Sequence, residues 1–169
     1  MKSTGHRSLI FLFFGILIFL MIRLPSFSQP YPPFPLQVFT VSDINFGAFT
    51  QGISGGTVII SPDGLRTTTG DIQQMGFGIQ FYPAIFEIEV IPGTVISIIF
   101  GPDAVLTGSN GGTLMMHVGG SDPQSPFITT INLPGKTEVR IGGTLIIGNP
   151  NANPPGAYSG IFSVTFNQQ

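Results

Sequence analysis

Apolar and β-branched residues recur along this chain in short runs that predict β-strands. In one run Phe86, Ile88 and Val90 are interleaved with Glu87 and Glu89, and residues 158–167 alternate in the same way. Strand side chains point alternately to opposite faces, so each of these runs predicts one buried and one solvated face. Wherever apolar residues recur with the 3.6-residue period of a helix, Gly or Pro interrupts the segment, so little helix is expected. The predicted strands are residues 36–41, 57–61, 85–91, 94–100, 113–118, 127–133, 138–141, 144–148 and 158–167.

Glycine and proline separate these runs at intervals of about ten residues, which is typical of antiparallel all-β folds. The sequence therefore predicts an antiparallel β-sandwich, Ig-like or pilin-like, with about eight to ten strands. The tripeptide Gly-Gly-Thr occurs three times, at residues 55–57, 111–113 and 142–144. Because the intervals differ, we interpret it as repeated turn-to-strand chemistry rather than as a structural repeat.

The first 28 residues have the pattern of a secretory signal peptide. Lys2 and Arg7 precede an uncharged apolar stretch of 14 residues, 9–22, and small residues end the segment at Ser26 and Ser28. About 20 apolar residues are needed to cross a bilayer, so we expect cleavage after Ser28. An uncleaved N-terminal anchor is the alternative. Export to the periplasm, outer surface or medium is the expected localisation.

The remaining chain divides into two predicted parts. Residues 29–43 form a leader with four prolines in its first seven residues, followed by a first strand, and residues 44–169 form a single domain. Proline fixes φ and lacks a donor, so the leader is expected to be extended.

Composition excludes several classes of function. Only 8% of the residues are charged, there is no cysteine, and the chain after residue 28 keeps three basic and eight acidic residues, a net charge of −5. No basic face is present to neutralise phosphates, so nucleic acid is not an expected partner. Disulfides and thiol chemistry are excluded. The segment after residue 28 has one histidine, His117, so a multi-histidine metal site is excluded and no cofactor is expected.

Three sequence patterns could in principle indicate a catalytic or metal-binding site, but ordinary strand and turn structure explains each of them. Ser54 lies in a G-x-S-x-G pattern with His117 later in the chain, but a nucleophile elbow needs a strand before the serine and a helix after it. Glu87 and Glu89 share a strand face, which a solvated sheet explains equally well. Four aspartates are in predicted turns, where turn geometry accounts for them, and no calcium-loop motif accompanies them. They are Asp63, Asp71, Asp103 and Asp122. We therefore expect no enzymatic activity.

Two pairs of segments resemble a known family. Residues 44–49 (Ile-Asn-Phe-Gly-Ala-Phe) lead into 55–64, and residues 142–145 lead to 156–160 (Gly-Ala-Tyr-Ser-Gly). Together they are similar to the bacterial exported family catalogued as domain of unknown function 4402, over about residues 41–168. The resemblance implies an exported, cysteine-free β-sandwich of Gram-negative bacteria with no established activity. The C-terminal pattern also resembles pilin-type subunits and proteins related to spore coat protein U, although Gln168 stands where those subunits have a penultimate aromatic residue.

The two ends of the domain are the predicted partner-strand interface. Phe162, Val164 and Phe166 alternate near the C-terminus, a layout that a partner strand can pair with, and Leu36 and Val38 follow the leader as part of a potential donor strand. The expected partners are copies of the same chain or a periplasmic chaperone. The alternative is that both ends pair within one closed sandwich.

The resulting hypothesis is a non-catalytic, structural or adhesive protein of the cell envelope, with fimbria-like assembly by strand exchange as its more specific form. The alternative is a monomeric secreted binding module of the same fold, for example for glycans. Its candidate contact residues are Tyr31, Phe81 and Tyr82. The absence of tryptophan argues against it.

Overall fold

The computed structural model describes residues 34–169, which contain eleven β-strands and no helix. This confirms the predicted all-β class, with one strand more than the upper end of the expected range. No segment of this part of the chain is a helix able to cross a membrane. The predicted signal peptide and most of the leader lie outside the described residues. The strands are β1 Gln37–Ser42, β2 Ala48–Ile60, β3 Arg66–Met75, β4 Ala84–Glu89, β5 Val95–Phe100, β6 Ala104–Gly108, β7 Thr113–Asp122, β8 Phe127–Ile128, β9 Thr137–Ile147, β10 Tyr158–Ser159 and β11 Val164–Gln168.

The strands form two antiparallel sheets in a sandwich-like arrangement. The larger sheet has the order β1-β4-β9-β7-β6-β10, with β2 joined to β9 and β3 joined to β2, and the smaller sheet has the order β11-β5-β8. Apolar side chains of both sheets form one buried cluster, in which Val58, Ile96, Val139 and Ile141 are fully buried. Without disulfides, this core and the sheet hydrogen bonds hold the fold together.

Strand β9 connects the larger sheet because one of its edges changes partner halfway. Residues 137–141 pair with β4, residues 143–147 pair with β2, and the opposite edge pairs with β7. Gly142 lies at the change, where a Cβ atom would approach the Ile60 carbonyl oxygen of β2 to 2.5 Å. Only glycine fits this close approach of two backbones.

This geometry corrects the interpretation of the Gly-Gly-Thr tripeptides. Only residues 111–113 join a turn to a strand. Residues 55–57 lie inside β2, where the pairing register with β3 shifts, and residues 142–144 lie inside β9. The predicted strands 138–141 and 144–148 are accordingly one continuous strand.

Two strands were missed by the sequence prediction, and two predicted strands have other bounds in the structure. Strands β3 and β6 were missed, because β3 is a polar, largely exposed hairpin arm without apolar alternation and β6 is only five residues long. The predicted strand 127–133 ends at Ile128. The predicted strand 158–167 is two strands, since the chain leaves the larger sheet after Ser159 and joins the smaller sheet at Val164.

The two predicted face alternations are confirmed. In β4, Ile88 is buried while Glu87 and Glu89 are more exposed. At the C-terminus, the side chains of Phe162, Val164 and Phe166 pack against the core although the strand is broken.

Candidate functional site

An apolar groove opens where the two sheets separate. One wall consists of Thr40 of β1, the connection 43–47 and the first residues of β2, 48–51, and the other wall consists of residues 154–164. The groove encloses about 1170 Å³. Core side chains form its floor. They are Phe46, Phe86, Leu106, Leu114, Met116 and Leu145.

Unpaired strand edges run along both walls of this apolar groove. The first half of β2, residues 48–51, pairs with β3 alone, because β9 reaches only residues 56–60. Within the described part of the chain, β10 pairs only with β6 and β11 only with β5. An unpaired edge presents free N–H and C=O groups to any extended chain that comes close.

The free edge of β11 is defined by its hydrogen bonds. Ser163 accepts a bond from the Gly101 N–H at 2.9 Å, and the Gln169 N–H donates to the Val95 carbonyl at 3.0 Å, so these residues face β5. In an antiparallel pair alternate residues face opposite ways. Val164, Phe166 and Gln168 therefore direct their backbone groups away from β5.

Asn153 holds the C-terminal wall in place. It is 6% exposed, and its Oδ1 accepts a hydrogen bond from the Gly148 N–H at 2.6 Å while its Nδ2 donates to the Thr113 carbonyl at 2.5 Å. Its own carbonyl accepts a bond from Gln51 Nε2 at 2.6 Å, which ties this wall to the opposite one. Pro154, the next residue, lines the groove and accepts the Tyr158 hydroxyl hydrogen bond at 2.6 Å.

Arg66 holds the N-terminal wall. Its Nη1 donates to the carbonyls of Phe46 and Ala48 at 3.1 and 3.3 Å, and its Nε donates to Gln74 Oε1 at 3.2 Å. The guanidinium carbon lies 4.3 Å from the centre of the Phe81 ring. Arg66 thus fixes the backbone of a wall that has a strand, β3, on one side only.

The groove is almost uncharged, and its rim is apolar. Asp43 is the one charged residue among those that line it. On the rim, Ile79 is 53% exposed and Ile161 is 92% exposed. A site for a small molecule usually encloses its apolar surface. The rim of this groove is instead exposed to solvent, which is not the arrangement of a closed small-molecule pocket.

The structure brings together only part of the predicted partner-strand interface. Phe162 and Val164 line the apolar groove, and Phe166 packs edge-to-face on Phe86 with ring centroids 5.4 Å apart. Leu36 and Val38 lie instead at the outer strand β1 of the larger sheet and do not line the groove. The assignment of all five residues to a partner interface stays a prediction.

The serine-histidine pattern does not assemble. His117 of β7 and Ile59 of β2 both pair with Thr144 of β9, so they lie opposite each other across that strand. Ser54 precedes Ile59 by five residues, which separates it from His117 by about 15 Å along the strand direction, in addition to the width of two strand spacings. Ser54 lies inside β2, with no helix after it in the described chain. His117 Nδ1 is instead 2.8 Å from Asp103 Oδ1 in an exposed pair.

The candidate carboxylates occupy solvated or turn positions. Glu87 is bonded to Lys136 at 3.0 Å on the outer face of the sheet, and Asp63 accepts the Leu65 N–H at 3.1 Å, as an Asx turn requires. Asp71 lies within β3 and Asp122 ends β7, so the prediction of turns was wrong for these two. In residues 34–169 no three His, Asp or Glu side chains are grouped to hold a metal ion.

The candidate glycan-stacking residues are only partly available. Phe81 and Tyr82 are each 38% exposed, but Arg66 covers one face of the Phe81 ring. Tyr31 lies outside the described residues.

The open strand edges and the disulfide-free core shared by the two sheets define a non-closed, antiparallel β-sandwich. The sequence profile of the family described as Domain of unknown function (DUF4402) matches residues 36–167, and the chain belongs to this family. The match begins within one residue of β1 and ends inside β11. No curated protein and no solved structure matches the chain.

Sequence reasoning missed the groove and the two residues that hold its walls. Arg66 is one of three basic residues after residue 28, which is a usable signal in so uncharged a chain. Asn153 lies in the segment Asn-Pro-Asn-Ala-Asn-Pro-Pro-Gly, whose composition marks a turn without showing which asparagine is buried. The groove itself depends on which strands remain unpaired, and local patterns do not carry that information.

Proposed function

We propose that this protein is an exported, non-catalytic structural or adhesive component of the cell envelope that assembles with copies of itself by exchange of strands. The observation that carries the proposal is the apolar groove, whose walls are open strand edges and whose floor is the hydrophobic core. Such an arrangement recruits an extended chain through main-chain hydrogen bonds, with side chains entering the groove.

The outer strand β1 supports this proposal from the other side. Residues 37–41 are all exposed even though they pair with β4, and Val38, Phe39 and Val41 are 42%, 38% and 55% exposed. Burial of apolar surface stabilises by about 25 cal/mol per Å², so a strand that leaves this surface in water is weakly held. A strand of this kind is suited to pair with a second molecule.

The test compares the size of the mature protein in solution with that of two variants. We expect light scattering to show oligomers for the chain from Gln29, and detergent gels to show a ladder that boiling collapses. Val38→Asp should abolish the ladder, because a carboxylate would enter an apolar partner site. Val105→Asp is the matched control, since Val105 is 58% exposed on β6 and lies outside the groove.

A folded monomer for the unmodified chain at every concentration would contradict the proposal and favour a monomeric binding module. If Val38→Asp lowers the thermal midpoint strongly, Val41→Asp replaces it, because Val41 is 55% exposed and lies at the register shift of β1. A ladder equally lost in Val105→Asp would also count against strand exchange.

A further inference from the structure

We infer that the occupant of the apolar groove is residues 36–41 of a second copy of this chain. The inference rests on the proposed function and makes it specific, since it assigns both the donor segment and the acceptor surface. The observations that carry it are an almost uncharged groove with free backbone edges and an exposed, uncharged strand, β1, of which only Thr40 lines that groove.

The backbone of the groove calls for an extended segment. Residues 48–51 of β2 and residues 158–159 of β10 each pair on one side only within residues 34–169. Arg66 already donates to the Ala48 carbonyl, but a small apolar molecule would leave the other unpaired N–H and C=O groups of these edges beside an apolar surface. An added strand satisfies these groups and also covers the exposed rim at Ile161.

Charge selects the uncharged donor. The chain after residue 28 carries a net charge of −5, and the groove holds the carboxylate of Asp43. Two copies of the chain repel each other because both carry negative charge. An acidic segment entering the groove would also be repelled by the Asp43 carboxylate. Residues 24–42 contain no charged side chain, and residues 36–42 contain no proline that would interrupt pairing.

The connection between β1 and β2 explains why the occupant comes from a second copy. To enter its own groove, β1 would have to leave β4 and reverse direction between Ser42 and Asn45, because Asn45 is held to Tyr82 by two 2.9 Å hydrogen bonds. Only Asp43 and Ile44 would form that turn. Tight hairpin turns need positive φ, which a β-branched residue such as Ile44 disfavours.

The donor and acceptor assignment is tested with single cysteines, which the cysteine-free chain permits. Val38→Cys in one preparation is mixed with Thr50→Cys in another, where Thr50 is an exposed residue of the groove wall. Under mild oxidation we expect about tenfold or more mixed disulfide relative to Val38→Cys mixed with Val105→Cys, because docking holds the thiols at millimolar effective concentration.

A second measurement uses a substitution at the rim that leaves the core untouched. Ile161→Asp should raise the concentration at which oligomers form by about tenfold or more, since it places a charge where the donor strand would lie. Ile53→Asp is the matched control, because Ile53 is 85% exposed and lies outside the groove. Equal thermal midpoints would show that both variants fold.

The outcomes separate this inference from the proposed function. If the unmodified chain stays monomeric, both are overturned. If it forms a ladder that Val38→Asp removes, but Ile161→Asp has no effect and the two mixed disulfides form equally, the proposed function stands and the groove is not the acceptor. A disulfide formed within single chains carrying both Val38→Cys and Thr50→Cys would also overturn the inference.

Discussion

Replacing Asn153 by alanine should destabilise the protein, because it removes both hydrogen bonds by which this buried side chain holds the C-terminal wall. The substitution removes the acceptor of the Gly148 N–H and the donor to the Thr113 carbonyl, at a residue that is 6% exposed. A hydrogen bond contributes about 1 kcal/mol net, and a buried group left unpaired costs about 1–3 kcal/mol. We therefore expect the free energy of unfolding to fall by about 3 kcal/mol.

The matched control is Asn110→Ala. The Asn110 side chain also bonds to this loop, donating to the Pro155 carbonyl at 2.7 Å, but that bond is exposed to water. Its loss should cost about 0.5–1 kcal/mol, because water replaces the lost partner. Asn153→Asp adds a second comparison, since it keeps the acceptor for Gly148 but sets a carboxylate oxygen against the Thr113 carbonyl, and it should also be destabilising.

The assay is urea unfolding followed by circular dichroism. A loss of about 3 kcal/mol corresponds to a fall of roughly 10 °C in thermal midpoint for a domain of this size. If Asn153→Ala lies within 1 kcal/mol of Asn110→Ala, the two buried hydrogen bonds do not hold the wall and the reasoning is refuted.

Three further predictions concern other parts of the fold. Gly142→Ala should lower the free energy of unfolding in urea by about 2–3 kcal/mol, because the added Cβ would meet a backbone carbonyl of β2. Gly76→Ala is the control and should be neutral or stabilising, because nothing lies within 4 Å of its Cβ position; equal effects of the two substitutions would contradict this. Thr129→Val should lower the free energy of unfolding by about 1–2 kcal/mol, since its buried hydroxyl bonds backbone carbonyls, and an unchanged urea midpoint would argue against that role. Lys136→Met should lower the free energy of unfolding by less than about 1 kcal/mol, because it removes the half-exposed ion pair with Glu87 while the methionine side chain keeps the contact with Phe39. This loss should shrink with added salt, and a loss that salt leaves unchanged would mean that the ion pair contributes nothing.

Local pattern was sufficient to predict the fold class and the faces of the strands. Alternation at residues 86–90 and 162–166 records which side chains reach the core, and that information lies in adjacent residues. It was insufficient for β3, whose Thr-rich sequence has exposed side chains on both faces and therefore no periodic signal. It was equally insufficient for Gly142, because the change of partner along β9 depends on strands more than fifty residues away.

The apolar groove was out of reach of sequence reasoning for a related reason. A groove is a place where pairing is missing, and residues 48–51 do not differ in composition from the second half of β2 in a way that marks them as unpaired. The sequence did predict that Phe162, Val164 and Phe166 share one apolar face. Which sheet edge that face adjoins is a property of the whole topology.

The position of β9 in the chain also has a consequence for how the protein folds. The hairpins β2–β3 and β6–β7 contain their own partners and can form early, but β2, β4 and β7 are joined to one another only through β9, which begins at Thr137. Pairings between residues 56–60 and 143–147 close loops of more than eighty residues, and such contacts form slowly. Synthesis proceeds from the N-terminus, so β2, β4 and β7 remain without the strand that joins them until β9 has been made.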